Sequence, residues 1–194
     1  MDNISFTSRI RPVTKAEFSR VVSSYGNKNF VGYPWTLKES VFSDRAFTKD
    51  IADCTVCGIT DGLKVLLIHL SPTEKINFQF DKVTDFIKEK FNLNNPNLQA
   101  ILIGGKPECT HGADSYKLFG MFEKFLEDSK IPFSKLKGGM GTKNVAYSSS
   151  TVEWIISNDV FNFPERNQFK TAKKAMEEVY NEVKIADCDE VRWL

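Results

Sequence analysis

The thiols and imidazoles of this chain of 194 residues fall into two groups, Cys54, Cys57 and His69, and then Cys109 with His111, while Cys188 stands apart. The first group lies in residues 48–70, Thr-Lys-Asp-Ile-Ala-Asp-Cys-Thr-Val-Cys-Gly-Ile-Thr-Asp-Gly-Leu-Lys-Val-Leu-Leu-Ile-His-Leu. That stretch reads as two strands closed by Asp61-Gly62, a dipeptide favoured in tight hairpin turns that need positive φ. A first strand starting near Cys54 and a second ending near His69 bring a thiol beside an imidazole. Such a pair is the minimum equipment of a cysteine nucleophile, because the thiolate attacks while the ring supplies and removes protons. Cys57 competes for the same ring. Cys54 and Cys57 are an odd number apart and face opposite sides of a strand, so alternation alone does not choose between them. A buried Cys on a strand and a satisfied His at a strand end are also ordinary structural features, and from pattern alone that is the commoner outcome.

Other readings of the polar residues are weaker. Cys54-x-x-Cys57 with Cys109-x-His111 would make two zinc-ligand pairs, but the first pair lies on a strand and the second spacing is unusual. Gly138-Gly139-Met140-Gly141-Thr142-Lys143 has the wrong order for a phosphate loop, whose lysine precedes Ser or Thr, and reads as a turn. The expectation is therefore no metal and no cofactor.

To hold a thiol and a ring in register the chain needs a core, and its length suits one domain with a proper one. Sixteen Phe residues supply large apolar side chains, which argues against disorder. A net charge of +1, from 26 basic and 25 acidic residues, gives no global footprint for nucleic acid or an anionic membrane. Met1-Asp2-Asn3-Ile4-Ser5 lacks the basic start and apolar run of a signal peptide. The Asn3-Ile4-Ser5 sequon is discounted for want of that secretory context. The run Val65–Ile68 is far too short for a membrane span. Few cysteines and no leader point to reduced thiols in a cytoplasm.

In chain order, residues 1–12 read as an arm or edge strand. Thr14-Lys15-Ala16-Glu17 matches a capping box for a short helix that buries Ala16, Phe18, Val21 and Val22, and residues 23–29 break it. Phe30-Val31-Gly32-Tyr33-Pro34-Trp35 reads as a core-covering loop more readily than as a lid. Residues 40–50 permit a short extended segment. After the hairpin, Phe80, Val83, Phe86, Ile87 and Phe91 recur at helical spacing. Gln99-Ala100-Ile101-Leu102-Ile103 reads as a central strand whose following Gly104-Gly105 marks a close backbone approach. Asp114 is placed as N-cap of a helix carrying Leu118, Met121, Phe122, Phe125 and Leu126. Ile131-Pro132-Phe133 starts an extended piece, and Val145-Ala146-Tyr147 with residues 152–156 make a pair of strands. Pro164 and Glu165 open a last helix with Phe169, Ala172, Met176, Val179 and Val183 on one side. Helices interleaved with hairpins predict an α/β fold, a mixed, mostly antiparallel β-sandwich flanked by helices.

Thr48, Cys54 and His69, with Cys six places after Thr and His fifteen after Cys, resemble the active-site string of the bacterial protein glutamine deamidases. That superfamily joins the chemoreceptor deamidase CheD, the catalytic domain of the cytotoxic necrotizing factors and Burkholderia lethal factor. Ile103-Gly104-Gly105, the helix from Asp114, the Ile131-Pro132 strand start and Gly138-Gly139 before Asn144-Val145-Ala146-Tyr147 follow in the order seen in CheD. The Thr at this spacing favours Cys54 over Cys57. One departure is Asp53, where the family carries Gly or Ser; a carboxylate there opposes thiolate formation unless it turns away or pairs.

The resemblance implies a Cys54-His69-Thr48 site that hydrolyses the side-chain amide of a protein glutamine through a thioester. It implies one domain over 1–194, with a shared core at about 44–157, an N-terminal arm and helix at 1–43 and a C-terminal helix at 158–194. The expected partner is a protein presenting a glutamine, with no nucleic acid and no membrane, and the chain is expected to be a monomer. Arm and terminal helix beyond the shared core tilt the expectation to a bacterial effector or toxin acting on a host regulatory protein. It would be cytoplasmic in the producer and delivered into a host cell in that case. A CheD-like chemoreceptor deamidase, a transglutaminating enzyme and an inert binding module on the same scaffold are the alternatives.

Overall fold

Thr55–Thr60 and Val65–Leu70 are buried at every position, which an amphipathic strand with one wet face cannot be. Both faces of the hairpin they form must be covered. The computed structural model, which describes residues 8–32, 40–72, 79–105, 112–137 and 142–159, supplies both covers. In chain order the elements are β1 (Arg9–Pro12), α1 (Lys15–Ser23), a 3₁₀ turn (Asn27–Asn29), β2 (Phe30–Val31), β3 (Ser40–Ser43) and β4 (Arg45–Ile51). They continue with β5 (Thr55–Thr60), β6 (Val65–Leu70), α2 (Phe80–Lys90), β7 (Gln99–Gly104), α3 (Gly112–Asp128), β8 (Phe133–Lys137), β9 (Thr142–Ser148) and β10 (Glu153–Asp159).

Among the described residues the strands form two five-stranded sheets, ordered β1-β10-β9-β4-β2 and β3-β6-β5-β7-β8. Five of the eight pairings are antiparallel; β1 with β10, β2 with β4 and β7 with β8 are parallel. This is the mixed, mostly antiparallel α/β sandwich that the sequence predicts. Period-two alternation then sorts the core into three layers. Val56, Val65, Leu67, Ile101 and Ile103 meet Ala46, Val145, Tyr147, Trp154 and Ile156 between the sheets. Cys57, Ile59, Leu66, Ile68 and Leu102 turn the other way, onto Ile87, Leu118, Phe119 and Phe122 of α2 and α3. On the far side, Phe18 and Val22 of α1 cover Phe47, Ala146 and Ile155. Each such large side chain contributes about 1.5–3 kcal/mol when withdrawn from water. Between the sheets the packing is close enough to require glycine. A Cβ on Gly58 would lie 2.3 Å from the Trp154 indole, whose own ring centroid is 4.7 Å from that of Tyr147.

Several local expectations change in the folded chain. Thr14 caps α1 by accepting from the Glu17 amide, but the Glu17 carboxylate pairs with Arg11 instead of reaching back to the cap. Arg11 also approaches Glu153 on β10, so that one guanidinium on the edge strand β1 links α1 and β10. Asp61 and Gly62 do not form a two-residue turn. The connection is the four residues 61–64, with Gly62 at φ 92° and the Asp61 carboxylate accepting from the amides of Leu63 and Lys64. Asp114 is not an N-cap: α3 already begins at Gly112, which places the carboxylate in the first turn, where the helix dipole favours it. The segment 40–50 is two strands, one in each sheet.

Strands outside about 44–157 pair with strands inside it. β1 pairs with β10, β3 pairs with β6, and β10 continues through Asn158 to Asp159, because edge and end positions still gain ladder hydrogen bonds. Residues 1–7, Tyr33-Pro34-Trp35, Cys109, His111, Gly138–Gly141, Cys188 and the helix read from Pro164 onward lie outside the described residues. Among the described residues no helix is long and apolar enough to cross a membrane.

Candidate active site at the crossover between the sheets

β4 belongs to one sheet and β5 to the other, so the chain must cross between them, and it does so in the three residues Ala52-Asp53-Cys54. Cys54 is therefore not a strand residue. It is the last residue of the crossover, immediately before β5, and is part-exposed. His69 stands opposite Val56 on β6. By alternation its ring points between the sheets, the side that Val56 and Leu67 share. Thr48, two positions along β4 from the inward-facing Ala46, points into the same gap from the other sheet. The two meet: Thr48 Oγ1 lies 2.6 Å from His69 Nδ1, with Thr48 fully buried and His69 only 2% exposed. Residues 21 positions apart in sequence are thus joined across the inter-sheet core.

The other ring nitrogen decides what this contact can do. Among the described residues His69 Nε2 is buried and has no hydrogen-bond partner. The direct thiol–imidazole hydrogen bond expected between Cys54 and His69 is thus not made in this structure. The ladder explains the offset. His69 pairs with Val56 rather than with the crossover residue, and diagonal neighbours in a sheet sit about 7–8 Å apart. Cys57 is placed elsewhere. It is fully buried on the helix-facing side of β5, opposite to the His69 side, and burial pushes its thiol well above the usual range. Asp53 is part-exposed in the same crossover.

Burial also acts on the ring, pushing the His69 pKa down to about 4. The imidazole is neutral near pH 7 and able to accept a proton. Its cost appears in acid. The unfolded ring protonates near 6.5 and the folded one near 4, so the unfolded state binds the extra proton between those values and stability falls with pH. The loss, about 3 kcal/mol, is complete below the folded value and absent above the unfolded one. Urea titrations at pH 7 and pH 4 are expected to show this difference shrink in His69→Gln; an unchanged pH slope in that variant excludes His69 as its source.

Gly104 holds the crossover from the second sheet. It ends β7 with φ +143°, and a Cβ there would sit 2.7 Å from the Cys54 carbonyl oxygen and 2.9 Å from Thr55 Oγ1. This is the close backbone approach read from Gly104-Gly105. Gly104→Ala is expected to cost about 2 kcal/mol and to displace Cys54. An unchanged denaturation midpoint would mean that the crossover does not rest on β7.

Two further features were not found in the sequence. Asn144, 3% exposed, accepts from the Asp50 amide through Oδ1 at 2.9 Å and donates to Ser157 Oγ at 2.9 Å. Lys143 and Asn158, paired across β9 and β10, share the inward parity of Val145 and Ile156 and are buried at the same end of the sandwich as Thr48. A buried polar residue beginning an apolar strand was the only available signal, since nothing in the chain links Asn144 to a backbone amide 94 residues away.

A cleft of about 260 Å³ opens elsewhere, beside Ile68, Leu70, Val83 and Phe86. Ile68 and Leu70 flank His69 in sequence but face α2, so the cleft lies across the sheet from the Thr48–His69 contact. Among the described residues no group of three or more His, Cys, Asp or Glu is placed to hold a metal. No protein-family model matches the chain, and no curated protein matches it.

Proposed function

We propose that the chain is a protein-glutamine deamidase in which Cys54 is the nucleophile, His69 the general base and acid, and Thr48 the residue that orients the imidazole. The observation that supports this reading is the Thr48–His69 contact at 2.6 Å, which engages Nδ1 and leaves Nε2 uncommitted in a buried ring. With Nδ1–H donating to Thr48 Oγ1, the Nε2 lone pair is the basic one. It takes the thiol proton, and the sulfur bonds to the carboxamide carbon of a substrate glutamine. Backbone N–H groups near Cys54 hold the resulting oxyanion. The C–N bond breaks as Nε2–H protonates the leaving amine, releasing ammonia. A water then gives a proton to Nε2 as its oxygen bonds to the thioester carbon; the C–S bond breaks, Nε2–H returns the proton to sulfur, and glutamate is left.

The substrate is a protein, and the reading extends to a bacterial effector or toxin acting on a host regulatory protein. A catalytically inert binding module is the competing reading, and a specific observation favours it: His69 is only 2% exposed and its ring makes no hydrogen bond to the Cys54 thiol in this structure. Catalytic hydrogen bonds are often long before substrate binds, so this does not decide between them. Alkylation with iodoacetamide at neutral pH, followed peptide by peptide, does. An active nucleophile is expected to react roughly 10²-fold faster at Cys54 than at the buried Cys57, and faster than glutathione. A Cys54 no faster than glutathione leaves the inert module.

A further inference from the structure

We infer that Asn144 is a positioning residue for this site, acting through a bulge in β4 that alone lets Thr48 face His69. The inference deepens the deamidase reading and rests on it for its meaning in catalysis. The register between β4 and β9 runs Thr48 with Val145 and then Ile51 with Lys143, so Lys49 and Asp50 together oppose the single residue Asn144. Two against one is a β-bulge.

The bulge solves a parity problem. Thr48 and Ile51 are an odd number apart and in a regular strand would face opposite sides. Here both face inward, Thr48 onto His69 and Ile51, 3% exposed, into the inter-sheet core. Without the extra residue one of them would turn outward. Either the hydroxyl would leave the ring, or the core would lose Ile51 at the point where the chain enters the Cys54 crossover.

Such a bulge needs support, because Asp50 sits at φ +57°, a conformation that side chains other than glycine's disfavour, and its carboxylate is exposed. The Asn144 carboxamide gives that support. Its Oδ1 accepts from the Asp50 amide, which the bulge removes from the ladder, and its Nδ2 is fixed by Ser157 Oγ on the next strand. One buried side chain thus sets both the hydroxyl that orients the imidazole and the start of the segment that carries the thiol, while touching neither group.

The ¹⁵N shifts of the His69 ring read this directly and need no substrate. In Asn144→Ala they are expected to move toward a mixture of tautomers as the Thr48 contact loosens. Cys54 alkylation is expected to change roughly tenfold, and Ser157→Ala to shift both in the same direction by less. Asp50→Gly, which adopts the bulge conformation without strain, is expected to restore most of the signal in the Asn144→Ala background. A residue that only fills space would gain nothing from that change. Folded Asn144→Ala with unaltered ring shifts overturns the proposal. Should that variant fail to fold, unaltered ring shifts and alkylation in Ser157→Ala do so instead. An unreactive Cys54 in the parent chain refutes the deamidase but leaves the ring shifts as the measure of Asn144.

Discussion

Cys54→Ser is expected to lower deamidation by roughly 10⁴-fold or more while leaving the fold intact. The thiol is part-exposed in a crossover and fills no core position, so its replacement by a hydroxyl leaves packing unchanged. Chemistry is another matter. A serine hydroxyl has no thiolate fraction to draw on, and His69, held near 4 by burial, is too weak a base to generate an alkoxide. The measurement is conversion of glutamine to glutamate in candidate protein substrates by peptide mass spectrometry, with ammonia release in parallel. Retained activity in Cys54→Ser removes the proposed nucleophile. Cys57→Ser tests the competitor, and its thiol, fully buried on the helix side, is expected to matter for stability and not for turnover. Incorporation of a labelled amine in place of water would move the assignment to transglutamination.

The second large effect is expected for Thr48→Val. Valine matches threonine in shape but offers His69 Nδ1 nothing, so a buried nitrogen loses its partner at a cost of about 1–3 kcal/mol. Activity is expected to fall by roughly 10²-fold, because the ring no longer has one tautomer and one orientation. Stability and chemistry then separate in the double variant. Thr48→Val with His69→Leu removes both polar groups from the inter-sheet gap, and urea denaturation is expected to recover most of the single-variant loss. Activity is not expected to recover. A double variant as unstable as the sum of the singles would mean that the 2.6 Å contact carries no coupling energy.

These two experiments treat differently the parts of the site that the sequence and the structure each reveal. Cys54 and His69 were legible as a thiol and an imidazole at the two ends of a hairpin, because two apolar runs separated by a Gly-containing turn are written locally, whereas Thr48 entered only through the resemblance. Gly104 was legible for the same reason, since a glycine pair closing an apolar strand has few other uses. The choice between Cys54 and Cys57 on residue pattern alone was not. It depends on which face of β5 meets helices and which meets the other sheet, and both faces are apolar, so hydrophobicity carries no sign.

By itself the sequence determined most of the elements, the helix-flanked sandwich class and a short set of residues able to do chemistry, because propensity, patterning and side-chain type act within a few positions along the chain. Only the tertiary structure decided that β4 and β5 lie in different sheets, that Thr48 Oγ1 reaches His69 Nδ1 across the gap, and that Asn144 braces the bulge that makes this possible. Those contacts join strands distant in sequence, and their register follows from how two sheets share one core rather than from any local preference of the residues that make them.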